Sequence, residues 1–214
     1  MPSSDVLDRY VHYGCGLCAP EGWENFDASP TLRVQNLSLV GTALVKIAGS
    51  QPFPPNVVYG DIVAGLPVED ASCDAVYCSH VLEHLALADL RGALRNTYRI
   101  LKPGGVFRLV LPDLKALASW YVQSEDPRAA LQFVGATHLG TRQRARGVKG
   151  ALKTLFGNGP HLWMWDYASL EAELSDAGFS QIRRAEFGDN DDERFRVVED
   201  PERWTHRLGM ECRR

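Results

Sequence analysis

Short apolar runs of strand character alternate along this chain with longer stretches of helical spacing. RYVHY (Arg9 to Tyr13) predicts a first strand that stops at Gly14-Cys15-Gly16, and WENFD (Trp23 to Asp27) predicts a second that ends on an acid. Val57 to Tyr59, Ala75 to Cys78 and Val106 to Leu111 predict three more, each bounded by turn residues. Two last strands are expected over about Ile182 to Phe187 and Leu208 to Cys212. Between them the helical signals are equally local. Ser29 as N-cap and Pro30 at the first helical position predict a helix over about Thr31 to Ile47, broken by QPFPP. Leu90, Ala93, Leu94, Thr97 and Ile100 recur near a 3.6 period ahead of a Lys102-Pro103-Gly104-Gly105 turn. Leu114 to Gln123, Pro127 to Phe133 and Asp166 to Phe179 complete the helices, the last stopped by Gly178. Strand–helix alternation that closes in a β-hairpin predicts a mostly parallel sheet with one antiparallel strand.

Polar residues sit where the predicted strands stop: Gly60-Asp61, Ser79-His80 and Pro112-Asp113. Open α/β sheets bind ligands beyond the carboxyl ends of their strands, so these residues mark the functional edge. A length of 214 residues suits one domain with a substantial core, and 45% hydrophobic with 23% charged residues is ordinary for a soluble protein. The net charge of −4 gives no global drive toward nucleic acid or membrane. Leu37 to Gly49 is too short and too polar to span a bilayer. The start, MPSSDVLDRY, lacks a basic and an apolar leader region, and five cysteines form no regular framework. A reduced, cytoplasmic protein is expected.

Cys15 and Cys18 form a C-x-x-C, which suits either redox chemistry, half a zinc site, or two small residues in a tight ligand loop. No second such pair exists, so no metal is expected. Asp27 is the candidate for ribose hydroxyls, since a carboxylate can accept both; a helix-entry role beside Ser29 is the alternative. Asp61 with Ile62 is the candidate clamp on an adenine ring, or else a turn acid after Gly60. His80, Glu83 and His84 share one face of the turn after strand four and are the candidate acid–base residues. Glu83 there would also complement a helix dipole. His138 and His161 flank a glycine-rich segment and are candidates for an acceptor site. Thr137 to Lys153 carries Arg142, Arg144, Arg146, Lys149 and Lys153 with no acid. It suits an anionic acceptor, a solvated loop, or a partner for the acidic GDNDDE turn (Gly188 to Glu193). No RNA-binding module accompanies it.

Gly60-Asp61-Ile62, Leu66-Pro67, Asp74, HVLEHL (His80 to Leu85) and RILKPGG (Arg99 to Gly105) occur in that order. Together they resemble the downstream half of class I S-adenosylmethionine-dependent methyltransferases, closest to the small-molecule, type-11-like group with an LEH…LKPGG signature. The resemblance extends more weakly from about Tyr10 to Cys212. It implies one Rossmann-like α/β domain over residues 1–214. Its mostly parallel seven-stranded sheet would be flanked by helices, with the last strand antiparallel and a helical basic lid inserted after strand five, about residues 114–165. The implied cofactor is S-adenosylmethionine, held by Gly14, Cys15, Gly16, Asp27, Asp61, Ile62, Ser79 and His80. Ser79 and His80 would lie beside the transferable methyl. A Glu-His pair at the position of Glu83 and His84 recurs in cyclopropane-forming and quinone-type relatives.

The chain departs from the family's first motif. His12 stands where the family has an acid, and Cys18 where it has a third glycine. Thirteen positions separate Gly14 from Asp27, against roughly 20 in Rossmann-type sites, so the intervening helix must be very short or absent. The expected function is methyl transfer to a small or glycan-type acceptor, with Arg142, Arg144, Arg146, His138 and His161 on the acceptor side. HLWMWDYASL (His161 to Leu170) looks like bacterial methyltransferases of polysaccharide function, which favours a glycan. The rival is a non-catalytic, methyltransferase-like binding or regulatory protein with a degenerate pocket. A dehydrogenase reading fails for lack of a full G-x-G-x-x-G.

Overall fold

The structure, a computed structural model, describes residues 8–37, 40–47, 49–140 and 159–214. Its strands are β1 (Tyr10–Tyr13), β2 (Glu24–Asp27), β3 (Val57–Tyr59), β4 (Cys73–Ser79), β5 (Leu101–Pro112), β6 (Ser180–Ala185) and β7 (Arg207–Arg213). They form one sheet in the order β3-β2-β1-β4-β5-β7-β6. β1 to β5 pair in parallel, and β7 runs antiparallel to both β5 and β6. The helices are α1 (Pro30–Gln35), α2 (Gly41–Ile47), α3 (Leu87–Ile100), α4 (Leu114–Gln123), α5 (Ala129–Ala136), α6 (Tyr167–Asp176) and α7 (Pro201–Trp204).

The two-residue period of the strands divides the core. On one face Val11, Tyr13, Val76, Cys78, Phe107 and Leu109 join the α3 residues Leu90, Ala93, Leu94 and Ile100 and the α6 residues Leu170 and Leu174. All five periodic positions of α3 are buried. On the other face Tyr10, Ala75, Tyr77 and Val110 pack with Trp23, Phe195, Val198 and Trp204. Only residues 14–23 connect β1 to β2. A parallel crossover needs a dozen or more residues to hold a helix, so none covers this face from that connection. The cover is supplied instead by residues 186–206, the connection between β6 and β7.

Three kinds of contact hold that connection down. Tyr10, Trp23, Tyr77 and Phe195 form an edge-to-face aromatic cluster with centroids 5.1–6.5 Å apart; such pairs contribute ~0.5–1.5 kcal/mol each beyond their burial. Arg108, fully buried on β5, ion-pairs with Glu199, with Asp189 at 2.8 Å and with Glu211 at 2.9 Å, and lies over the Trp204 ring at 4.6 Å. Gly209 of β7 lets Trp204 lie against the sheet: a Cβ there would sit 2.3 Å from the indole and 2.4 Å from the Ala185 carbonyl.

The single helix expected over Thr31 to Ile47 is two. Asn36 ends α1 by turning its N–H back to the Leu32 and Val34 carbonyls, and α2 starts at Gly41. Ser29 caps α1 as expected, its hydroxyl accepting from the Thr31 N–H at 3.2 Å. The Lys102–Gly105 turn is part of a longer β5. Cys73 pairs with Leu101 and Ala75 with Val106, so residues 102–105 form a wide bulge, with Gly104 at φ +79°. The acidic Gly188–Glu193 turn finds its partners in Arg108, Arg183 and Arg194. Beyond β5, Asp113 caps α4 and bridges to Trp165, which brings the two ends of segment 114–164 together. No helix among the described residues is long and apolar enough to cross a membrane.

Candidate functional site

The carboxyl ends of β1, β2, β3 and β4 lie side by side. After β1 the chain turns through Gly14 at φ +62° and Gly16 at φ +56°, a conformation that disfavours any side chain. At Gly14 space is also lacking, because a Cβ would lie 2.2 Å from Val81 Cγ2. At Gly16 nothing lies within 4 Å of the missing Cβ, so the loop is open there. Cys15 donates its N–H to the Phe26 carbonyl at 3.1 Å and buries its side chain. Burial, then the charge of Asp27, pushes the Cys15 thiol up to about 12. Burial also raises the exposed-edge Cys18 thiol. Both shifts disfavour the thiolate that redox chemistry uses as its nucleophile.

Asp27 organises the ribose candidate. One carboxylate oxygen accepts the Gly16 N–H at 2.9 Å and the other the Ser29 N–H at 2.7 Å. The acid thus serves helix entry and tethers the glycine loop at once. Each oxygen keeps a lone pair for a further donor. Asp61 stands beyond β3 and accepts the Val63 N–H at 2.9 Å, closing its own turn. Ile62 is 5% exposed and belongs to the core, while its carbonyl accepts from Asn96 at 2.8 Å.

At the end of β4, Ser79 is buried and receives Arg203 twice, on its hydroxyl at 2.8 Å and its carbonyl at 2.7 Å. Arg203 arrives on α7 from the β6–β7 connection. Its positive charge reaches His12 and Cys18 as well, so it stands over the edge shared by β1 and β4. Sequence reasoning missed Arg203, and only the absent first helix hinted that another segment must come in. His12 is buried between Trp23 and Tyr77; burial, then Arg203, lowers it to about 3, so it is neutral.

His80 adopts φ +55°, a rare state for a residue with a side chain. Its Nε2 meets the Arg203 carbonyl at 3.0 Å and its Nδ1 meets Glu83 Oε1 at 3.0 Å. A carbonyl only accepts, so Nε2 carries the proton of that bond and Nδ1 faces the Glu83 carboxyl. Both ring nitrogens are therefore engaged. Glu83 is fully buried in the short 3-10 helix Leu82–His84, and its Oε2 has no partner among the described residues. His84 Nδ1 meets the Pro160 carbonyl at 3.3 Å. Its ring lies 4.9 Å from that of His161, which lies 4.8 Å from that of His138. The structure thus brings His80, Glu83, His84, His138 and His161 into one patch. Arg142, Arg144, Arg146, Lys149 and Lys153 lie outside the described residues.

The matching family is described as Methyltransferase domain, over residues 22–109. No curated protein matches the chain. Among solved structures, the chain is similar to a SAM-dependent methyltransferase from Thermotoga maritima, at 15% identity over 96% of this chain and 81% of that one, TM-score 0.48. It is also similar to one from Archaeoglobus fulgidus, at 17% identity over 97% and 86%, TM-score 0.48. A third is the Haloferax volcanii complex between the Trm112 methyltransferase activator and a methyltransferase, at 20% identity over 97% and 82%, TM-score 0.49. The methyltransferase-domain match spans β2 to β4 and most of β5, the part of the sheet whose strand ends carry Asp27, Asp61 and Ser79.

Proposed function

We propose that the chain binds S-adenosylmethionine across the ends of β1 to β4 and methylates a small or glycan-type, anionic acceptor. The observation that carries the cofactor reading is Asp27: a carboxylate at a strand end, tied to the glycine loop, with lone pairs left for two hydroxyls. Asp61 takes the adenine amine, with Ile62 flooring the ring from the core. Gly14, Cys15 and Gly16 line the approach, and Ser79 and His80 border the methyl. Arg203 supplies positive charge toward the amino-acid carboxylate, where the chain lacks the helix N-terminus that would otherwise serve an anion. Bound S-adenosylmethionine supplies an electrophilic methyl with its own leaving group. The protein's task is then to hold the nucleophile in line, an effect that can supply ~7–11 kcal/mol.

For an acceptor that must lose a proton, Glu83 and His84 carry the free basic atoms, and His80 positions Glu83. Segment 114–165 acts as a lid, with His138 and His161 on its inner side and Arg142, Arg144 and Arg146 drawing the acceptor. The test is a screen of anionic sugars and glycans with labelled cofactor. Replacing Arg142, Arg144 and Arg146 together with Ala should raise the acceptor KM and flatten its salt dependence. Cofactor affinity should hold within about twofold, well short of the tenfold that 1.4 kcal/mol represents. A neutral best acceptor, turned over normally by the triple variant, would remove the anionic reading.

A further inference from the structure

The patch behind the β4 end holds two buried polar atoms with no partner among the described residues, on side chains that lie close together. Glu83 is fully buried; Oε1 is used by His80 and Oε2 by nothing. His161 is 8% exposed, and its Nδ1 is buried and unpartnered. Buried polar groups are almost always satisfied, so two orphans in one place call for a ligand. His84 completes the set. Its Nδ1 must donate to the Pro160 carbonyl, which leaves Nε2 as a bare lone pair. Glu83, His84 and His161 each offer a ligand atom, all within 4.8 Å of one another.

The donor chemistry is that of a metal site. Two imidazoles and a carboxylate suit a divalent transition ion such as zinc, and three protein ligands leave a position open. His84 has the backbone support that metal-bound histidines usually have, its second nitrogen fixed on a carbonyl. The Thr137 backbone engages the His161 ring in the same sense. His80 on Glu83 Oε1 orients the carboxylate. The frame is prebuilt, because the Glu83 carbonyl accepts the Leu162 and Trp163 N–H groups at 2.8 and 3.2 Å and so pins the His161 segment against the His84 turn. Around a zinc ion with bonds of about 2.1 Å, ligand atoms lie about 3.4 Å apart. Side-chain rotation can close the remaining gap.

We infer that Glu83, His84 and His161 bind one divalent transition-metal ion, whose open position faces His138 and takes an oxygen of the methyl acceptor. The metal site stands on the geometry alone; the acceptor role rests on the methyltransferase reading. With the ion bound, Glu83 and His84 act as its ligands instead of as bases, and the Lewis acid acidifies an acceptor hydroxyl so that it loses its proton to solvent. The sequence offered only Cys15 and Cys18 as half a zinc site, and this cluster spans residues 83 to 161, so spacing did not reveal it.

The test is to strip the full-length protein with chelator, then titrate it with Co2+ by absorption spectroscopy and Zn2+ by calorimetry. One site per chain is expected. His161→Ala and His84→Ala should each weaken Zn2+ at least ~100-fold, the upper range for disturbing a mere supporting group. Asp61→Ala should leave Zn2+ affinity unchanged while weakening S-adenosylmethionine. If His161→Ala does not fold by circular dichroism, His161→Asn and Glu83→Gln take its place. No Co2+ band and no Zn2+ heat would overturn the inference, as would binding that survives both histidine variants. Loss of Zn2+ binding with unaltered cofactor affinity in the histidine variants supports the site. Loss of cofactor binding by the wild type would instead refute the methyltransferase reading and leave the metal site standing.

Discussion

Replacing Arg108 by Met should test whether the β6–β7 connection is what holds the cofactor edge together. Arg108 has no solvent exposure, and neither does Glu199; Glu211 is 8% and Asp189 30% exposed by side chain. Burial alone would lower the guanidinium's proton affinity, but the Glu199 hydrogen bond and charge, then Asp189, raise it, so it is charged. Methionine fills most of the volume, and the cost is therefore mainly electrostatic. It falls on Glu199, whose Oε1 has no partner besides Arg108 among the described residues, while Oε2 keeps the Gly188 N–H at 2.9 Å. Glu211 retains Arg183 and Asn190, and Asp189 retains Arg183. Removing one partner of a buried ion pair costs about 3–5 kcal/mol, and the shared burden places Arg108→Met near the lower end.

Urea unfolding followed by circular dichroism reads this directly. With a slope near 2 kcal/mol per molar, the midpoint should fall by about 1.5 M. Adding Glu199→Met should recover much of the loss, since apolar replacement of both partners is often close to neutral. Cofactor affinity should fall with stability, because Glu199 anchors the segment that ends in Arg203. A loss under about 1 kcal/mol in the single variant, or a double variant no better than it, would refute the reasoning.

Asp27→Ala and Asp61→Ala should each weaken S-adenosylmethionine by ~1–3 kcal/mol in calorimetry, the cost of leaving a buried donor unpaired; unchanged affinity in both would displace the site. His12 is held near 3 by burial and Arg203, against about 6.5 in the unfolded chain. Below about pH 6.5 the unfolded chain binds a proton that the native state refuses, so this share of stability is full above that pH and is lost as pH falls toward 3, by ~1.4 kcal/mol per unit at most. His12→Gln should flatten the slope of stability between about pH 4 and pH 6, and an unchanged slope would reject the buried neutral histidine. Gly14→Ala should cost at least ~1–2 kcal/mol in thermal unfolding from its left-handed backbone, with the Val81 contact added; a neutral outcome would mean the loop relaxes freely.

The elements were legible because their signals are local. The α3 stripe from Leu90 to Ile100, the Ser29-Pro30 start of α1 and the Gly178 stop after α6 depend on residues within one or two turns of each other. So does the strand-end placement of Asp27, Asp61 and Ser79. What escaped depends on residues far apart. The break between α1 and α2 needs Asn36 to prefer its own cap over the next turn. Arg203 reaches Ser79 across 124 positions, and His161 reaches the His84 turn across more than 70. Neither spacing has a period to read.

The short β1–β2 connection and the long β6–β7 connection are two sides of one arrangement. Without a helix after β1, Tyr10, Ala75, Tyr77 and Val110 would face water, and His12 would be solvated and free to charge. Residues 186–206 restore that face from the far end of the chain: Tyr10 bonds Asp192 across 182 positions, and Trp23 donates to the Arg194 carbonyl at 3.2 Å. The same segment delivers Arg203 to Ser79 at the β4 end, beside the β1 edge where His12 and Cys18 stand in place of an acid and a third glycine. In the proposed site no helix N-terminus offers backbone donors to the cofactor's carboxylate, and the guanidinium held on Ser79 offers charge and planar donors in its place. The substitution also explains why His12 tolerates the position of an acid. An aspartate there would be buried beside Trp23 and would compete with Ser79 for Arg203, whereas a neutral imidazole leaves that guanidinium directed at the site.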